Sequence, residues 1–132
     1  PALRAELLTA MSERPGYLWR GHILQIFLAE GMLDRALALL GREPSLHELE
    51  MVMPQAIEQQ PAEMMRLCLR SAEQQVRLAK AAAYEEAIGY LTHARAAAER
   101  AGLMDEWAAF VARLREAHAR KRTFISLLNR LG

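Results

Sequence analysis

LCLRSAEQQVRLAKAAAYEEAIGYLTHARAAAERAGLMDEWAAFVARLREAH, residues 67–118, decides what kind of object the chain is. Cys68, Leu69, Ala72 and Val76 recur at steps of three and four on its first arm. Tyr84, Ala87, Ile88, Leu91, Ala94 and Ala98 do the same on its second. That spacing marks one face of an α-helix and not the alternation of a strand. Ala81-Ala82-Ala83 lies between the arms, so the stretch reads as a helical hairpin whose two stripes bury each other. It is a packing unit and carries no chemical motif.

Composition agrees. Leu and Ala supply 45 of the 132 residues, whereas Val, Ile and Thr supply 11. Ala and straight-chain residues lose little rotamer freedom in a helix, while β-branched residues favour strands, so the chain reads as all-α. Seventeen basic side chains face sixteen acidic ones, and a net charge of +1 gives no global field toward nucleic acid or membrane. No apolar run approaches the roughly 18 residues of a membrane span, and no signal peptide is visible. Cys68 is the single cysteine, which excludes an internal disulfide and suits a buried thiol in a cytoplasmic protein. The chain opens on Pro1 without Met, as a fragment of a larger protein would.

Outward from the hairpin, residues 2–11 carry Leu3, Leu7, Leu8 and Met11 at helical spacing, broken by Pro15 and Gly16. A second helix is expected over 17–30, closed by Gly31, and a third from Leu33 through Ala36 and Leu40 to Gly41. Ser45 with Glu48 has the capping-box spacing, opening a helix that Pro54 should end or kink. Pro61 suits the first position of the helix over 62–80, with Met65, Cys68, Leu69, Ala72, Val76 and Ala79 as main stripe and Leu67 and Leu78 on a second face. The Ala82-to-Ala87 offset repeats that of Gly31 to Ala36, a weak internal similarity at two turns. Beyond Gly102, residues 103–131 hold no Gly or Pro. Trp107, Phe110, Leu114, Ala117, Phe124, Leu128 and Leu131 form a seam that only Lys121 interrupts. A charged residue in the seam after like charges predicts a bend at 120–123.

Candidate chemistry is sparse. His22, His47, His93 and His118 make no i, i+4 pair and no metal-ligand spacing, so no metal or cofactor is expected. Ser45 is explained as a cap and Cys68 by burial, and Glu85-Glu86 and Asp105-Glu106 favour helix N-termini. Met51, Met53, Met64 and Met65 read as core filler or as an adaptable groove. No catalytic site is expected. The one biased charge feature is the candidate basic patch Arg113, Arg115, Arg120, Lys121 and Arg122, with Glu116 the only acid among them. Such a patch serves phosphate contact, or it is the solvated, cation-rich end of a helix.

LAEGMLDRALALL and LAKAAAYEEAIGYLTHA resemble degenerate tetratricopeptide hairpins in the turn positions Gly31 and Ala82, in Tyr84, and in the crossing residues Ala36 and Ala87. The early Trp-Leu-Gly-Tyr spacing of that repeat is absent. Residues 83–131 also resemble the helical tail of bacterial proteins carrying a SWIM zinc finger. The matching features are Tyr84 with Ala87, Glu106-Trp107, Leu114 with His118, and Arg120-Lys121-Arg122 before a Leu-rich helix. The finger's Cys and His are missing, so no metal ligands carry over. The expectation is therefore a single domain over 1–132: a right-handed α-solenoid-like array of about seven helices. It would bind a protein or peptide partner without catalysis, cofactor or membrane, with nucleic acid as the alternative partner of the basic patch.

Overall fold

The structure, a computed structural model, describes residues 17–41 and 44–131. The described residues form seven α-helices and no strand: α1 Tyr17–Ala29, α2 Leu33–Leu40, α3 Leu46–Gln59, α4 Pro61–Arg77, α5 Ala81–Ala101, α6 Met104–Ala117 and α7 Arg122–Leu131. The helix expected over 2–11 and its Pro15-Gly16 break lie outside the described residues. The chain divides into two compact units, Pro1–Gln55 and Ala56–Gly132, with the division falling inside α3.

In the first unit α1 packs on α2. Ile23, Leu24 and Phe27 of α1 and Leu33, Ala36 and Leu40 of α2 are buried, so Ala36 is the small residue at the packed face that its spacing predicts. Gly31 ends α1 at φ +73°. The Gly31 amide donates to the Leu28 carbonyl at 3.2 Å and the Met32 amide to the Phe27 carbonyl at 2.8 Å, the paired bonds of a Schellman stop. The Leu28 carbonyl also accepts Gln55 Nε2 at 3.0 Å, which ties α3 to the end of α1.

The capping box at the start of α3 is formed. The Glu48 amide donates to Ser45 Oγ at 3.1 Å, and the Ser45 amide donates to Glu48 Oε1 at 3.3 Å. Pro54, however, does not end the helix near Met53, and α3 runs on through Ala56 and Ile57 to Gln59. Pro54 lies on the exposed face, so the intrahelical bond it cannot make is lost where water replaces it.

In the second unit α4 and α5 make the principal helix pair, and α5 also packs on α7 and α6. Met65, Cys68, Leu69, Ala72 and Val76 of α4 are buried against this core, as are Met64, Leu67 and Ser71 on its other side. Ser71 Oγ is buried without a hydrogen-bond partner. Two expected core positions are corrected: Ala79 is exposed and Leu78 is 56% exposed, because α4 stops at Arg77 and both residues lie in the turn. The α5 face comprises Ala83, Tyr84, Ala87, Tyr90, Leu91, Ala94, Ala97 and Ala98. Its alanines let neighbouring backbones approach closely.

The turn between the hairpin arms is also shifted from its expected place. Ala82 is helical, and the left-handed residue is Ala79, at φ +55°. The true counterpart of the Gly31 turn lies at Gly102, φ +71°, where the Leu103 amide donates to the Ala98 carbonyl at 2.8 Å. Gly31-Met32-Leu33-Asp34 and Gly102-Leu103-Met104-Asp105 thus make the same stop and restart, each with an aspartate in the first turn of the next helix.

Ala79 is the only described non-glycine residue with positive φ, a conformation in which Cβ crowds the following carbonyl. Ala79→Gly should raise stability by about 0.5–1 kcal/mol in urea denaturation, because glycine occupies that region without the clash. An unchanged or lower midpoint would show that the turn carries no such strain.

Candidate functional site

The candidate basic patch spans the junction of α6 and α7. The seam predicts a bend at 120–123, and the structure places a break at 118–121, between Ala117 and Arg122. Its cause is visible in Lys121. The Lys121 ammonium points inward and donates from Nζ to the Val76 carbonyl at 3.0 Å. Val76 lies in the last turn of α4, where the helix dipole favours a cation; its carbonyl also accepts the Ala79 amide at 3.2 Å, so Lys121 is its second donor. The lysine that interrupts the seam therefore acts as a cap for a helix 45 residues away in sequence.

The five cations do not act as one surface. Arg115 is hydrogen-bonded from Nη1 to Asn129 Oδ1 of α7. The Arg113 guanidinium sits 5.6 Å from the centroid of the Phe110 ring. Arg120 and Arg122 are exposed at the break. Thus Lys121 is committed to the fold, Arg115 makes one exposed contact to Asn129 and keeps its other donors, and Arg113, Arg120 and Arg122 face solvent.

His118 opens the break and meets the Phe124 ring edge-on, with centroids 6.2 Å apart. Burial and the neighbouring Lys121, with Arg77 beyond, hold its imidazole below the usual value of 6.5, and Glu73 opposes them in part. The Tyr84 ring completes this cluster 5.7 Å from Phe124. Cys68 is wholly buried, and burial pushes its thiol up to about 12, so it is unreactive in the folded chain. His22 and His47 are exposed, and no group of three metal-ligating side chains comes together among the described residues. Met53, Met64 and Met65 are core residues.

Concave features also lie among the described residues. In the first unit, a cleft of about 560 Å³ lies among Gly21, His22, Gln25, His47, Glu48 and Met51. In the second, a narrower groove of about 260 Å³ runs between α6 and α7, which the sequence does not announce. Trp107, Val111, Leu128 and Leu131 give it an apolar lining, Ala108 and Ala112 a low wall, and Arg115 its charged side chain. Trp107 is fixed from behind: its Nε1 donates to the Leu91 carbonyl at 3.1 Å. The Arg95 guanidinium lies 5.4 Å from the centroid of the Trp107 ring and donates from Nη1 to the Leu131 carbonyl at 3.2 Å. Arg95 thereby caps the end of α7 and buttresses the groove at once.

Two measurements check this arrangement. Lys121→Met keeps the aliphatic stem but removes the donor, and should cost about 1–2 kcal/mol of unfolding free energy. A neutral result would mean water caps Val76 equally well. His118 gives a pH dependence whose sign follows from its lowered value. The unfolded chain takes up the proton first, so stability is full above 6.5 and falls as pH drops below it. His118→Gln should flatten that component in urea melts on either side of 6.5. An unaltered acid slope would place the effect elsewhere.

No family model, no curated protein and no solved structure matches the chain. No described helix is long and apolar enough to cross a membrane.

Proposed function

We propose that the chain is a non-catalytic, α-solenoid-like helical module that binds a protein or peptide partner in the cytoplasm. The observation that supports it most is the α6–α7 groove, an apolar floor between two helices that both pack on α5, with an arginine in its lining. Clefts of this kind receive side chains of a partner helix. The glycine stops at Gly31 and Gly102 support the repeat character, since a left-handed glycine whose successor's amide bonds back to the preceding helix joins both α1 to α2 and α5 to α6. The tetratricopeptide and SWIM-protein resemblances belong to the same proposal: the module would accompany a finger encoded elsewhere in a parent chain.

Nucleic acid is the second reading, favoured by the exposed Arg113, Arg120 and Arg122. It is weakened because Lys121, at the centre of the run, is turned inward and bonded to the Val76 carbonyl. One pull-down separates the two. With nuclease-treated extract of the source cells, the wild-type chain should retain a protein in stoichiometric amount, and Arg113→Glu/Arg120→Glu/Arg122→Glu should retain it equally. A blank with wild type counts against the protein-binding reading. Salt-sensitive retention of oligonucleotide that the triple variant loses would establish the second reading instead.

A further inference from the structure

The α6–α7 groove carries more information than the presence of a partner. Its volume of about 260 Å³ lies below the range of roughly 300–1,000 Å³ typical of small-molecule sites. It suits inserted side chains better than a whole ligand. Ala108 and Ala112 stand four residues apart on α6, so they share a face and present no side chain beyond Cβ. A second helix can therefore approach that face closely, with its own larger residues over Trp107 and Val111.

Charge selects among such helices. Residues 104–131 hold six basic side chains against three acidic ones, although the whole chain is nearly neutral. Arg115 lines the groove two turns along α6 from Trp107, and Arg95, outside the lining, stacks on the Trp107 ring and reaches the Leu131 carbonyl. Eight residues of helix separate Trp107 from Arg115, about 12 Å. Asn129 engages one amine of Arg115 and leaves further donors of its planar fork, a geometry that fits carboxylates. Arg95 pairs with Glu99 at 3.8 Å in an exposed i, i+4 contact of small worth. Of the acids on α6, Glu106 is paired with Arg66 at 3.4 Å.

We propose that the α6–α7 groove docks a short acidic amphipathic helix of a partner protein. Its apolar face lies across Ala108 and Ala112, and two carboxylates, about two turns apart, meet Arg95 and Arg115. This inference rests on the protein-binding reading above and narrows it to one surface and one partner chemistry.

The test uses the full chain and a fluorescein-labelled synthetic helix. That probe carries leucines on one face and two glutamates about eight residues apart. A second probe has lysine in place of both glutamates, and a third has the leucines scattered off the face. In anisotropy titrations the glutamate probe should bind about tenfold or more tighter than either control. Ala112→Trp, an exposed site that fills the groove, should abolish binding. Arg115→Glu should weaken it about tenfold or more and improve binding of the lysine probe. Asn129→Ala removes the Arg115 contact but keeps the charge, and should bind as wild type does. Equal binding of the charge-reversed probe, indifference to Ala112→Trp, or no binding at all would overturn the proposal. So would self-association that Ala112→Trp abolishes, which would give the groove to a second copy. A pull-down in which Ala112→Trp retains the same partner as wild type would overturn this inference and leave the broader reading standing.

Discussion

Every α-helix leaves its last four carbonyls without intrahelical donors, and a fold made of short helices meets that demand at each end. The solutions here come from two sources. At Gly31 and Gly102 the chain turns left-handed and returns its own amides to the preceding helix. Distant side chains add donors: Gln55 to Leu28 in α1 beside the Gly31 amide, Lys121 to Val76 in α4 beside the Ala79 amide, and Arg95 to Leu131 in α7. Each of these bonds links two elements as well as finishing one. Tertiary structure in the second unit is therefore partly specified by where helix ends need donors, and not by apolar stripes alone.

The apolar contribution is concentrated on α5. One helix has to accept α4 along much of its length and α7 and α6 elsewhere. Bulky side chains all round would hold those neighbours apart, and the helix instead buries Ala83, Ala87, Ala94, Ala97 and Ala98. Tyr84, Tyr90 and Leu91 fill the space between them. Alanine contributes little area per residue, so larger partners must supply the burial: Met64, Met65, Leu69, Phe124 and Leu128 are nearly or wholly inaccessible. The exposed ion pairs of Arg66 with Glu106 and of Arg100 with Glu58 add little to this.

Helix identity was legible in the sequence because the apolar period is strong on both arms of the hairpin. The capping box at Ser45 and the stops at Gly31, Gly41 and Gly102 were legible because each rests on one residue's conformational chemistry. Three features were not. The turn at Ala79 was placed at Ala82 because alanine is an unusual choice for φ > 0 and a run of alanines hides the boundary. Helix α3 passes Pro54 because the lost bond faces outward, and sequence alone does not say which side of a helix is wet. The likeness of Gly31-Met32-Leu33-Asp34 to Gly102-Leu103-Met104-Asp105 is present in the letters, but four residues with Leu and Met exchanged are too short a match to stand out from a helical sequence. For the basic patch, charge was legible and direction was not: a lysine bonded to a carbonyl and an arginine at the surface look alike in a sequence.

The break before α7 explains why a groove exists at all. A continuous helix over 103–131 would carry its seam away from the hairpin after about five turns, leaving Phe124 and Leu128 with nothing to pack on. Stopping α6 at Ala117 and turning at Lys121 returns Phe124 and Leu128 to the core beside α5. That return secures α7 along one face. Helix α6, by contrast, buries only Trp107 and Leu114, while Ala108, Ala109, Ala112 and Arg113 remain exposed. Two helices anchored to a common support, one of them through few residues, leave a furrow where their unburied sides meet. The furrow is apolar because Leu128 and Leu131 come from α7's packing face, and it is basic because Arg115 lines it and Arg95, which finishes α7 at the Leu131 carbonyl, stacks on Trp107. The same demand for donors at helix ends that shapes the second unit thus also places one of the two cations beside this groove.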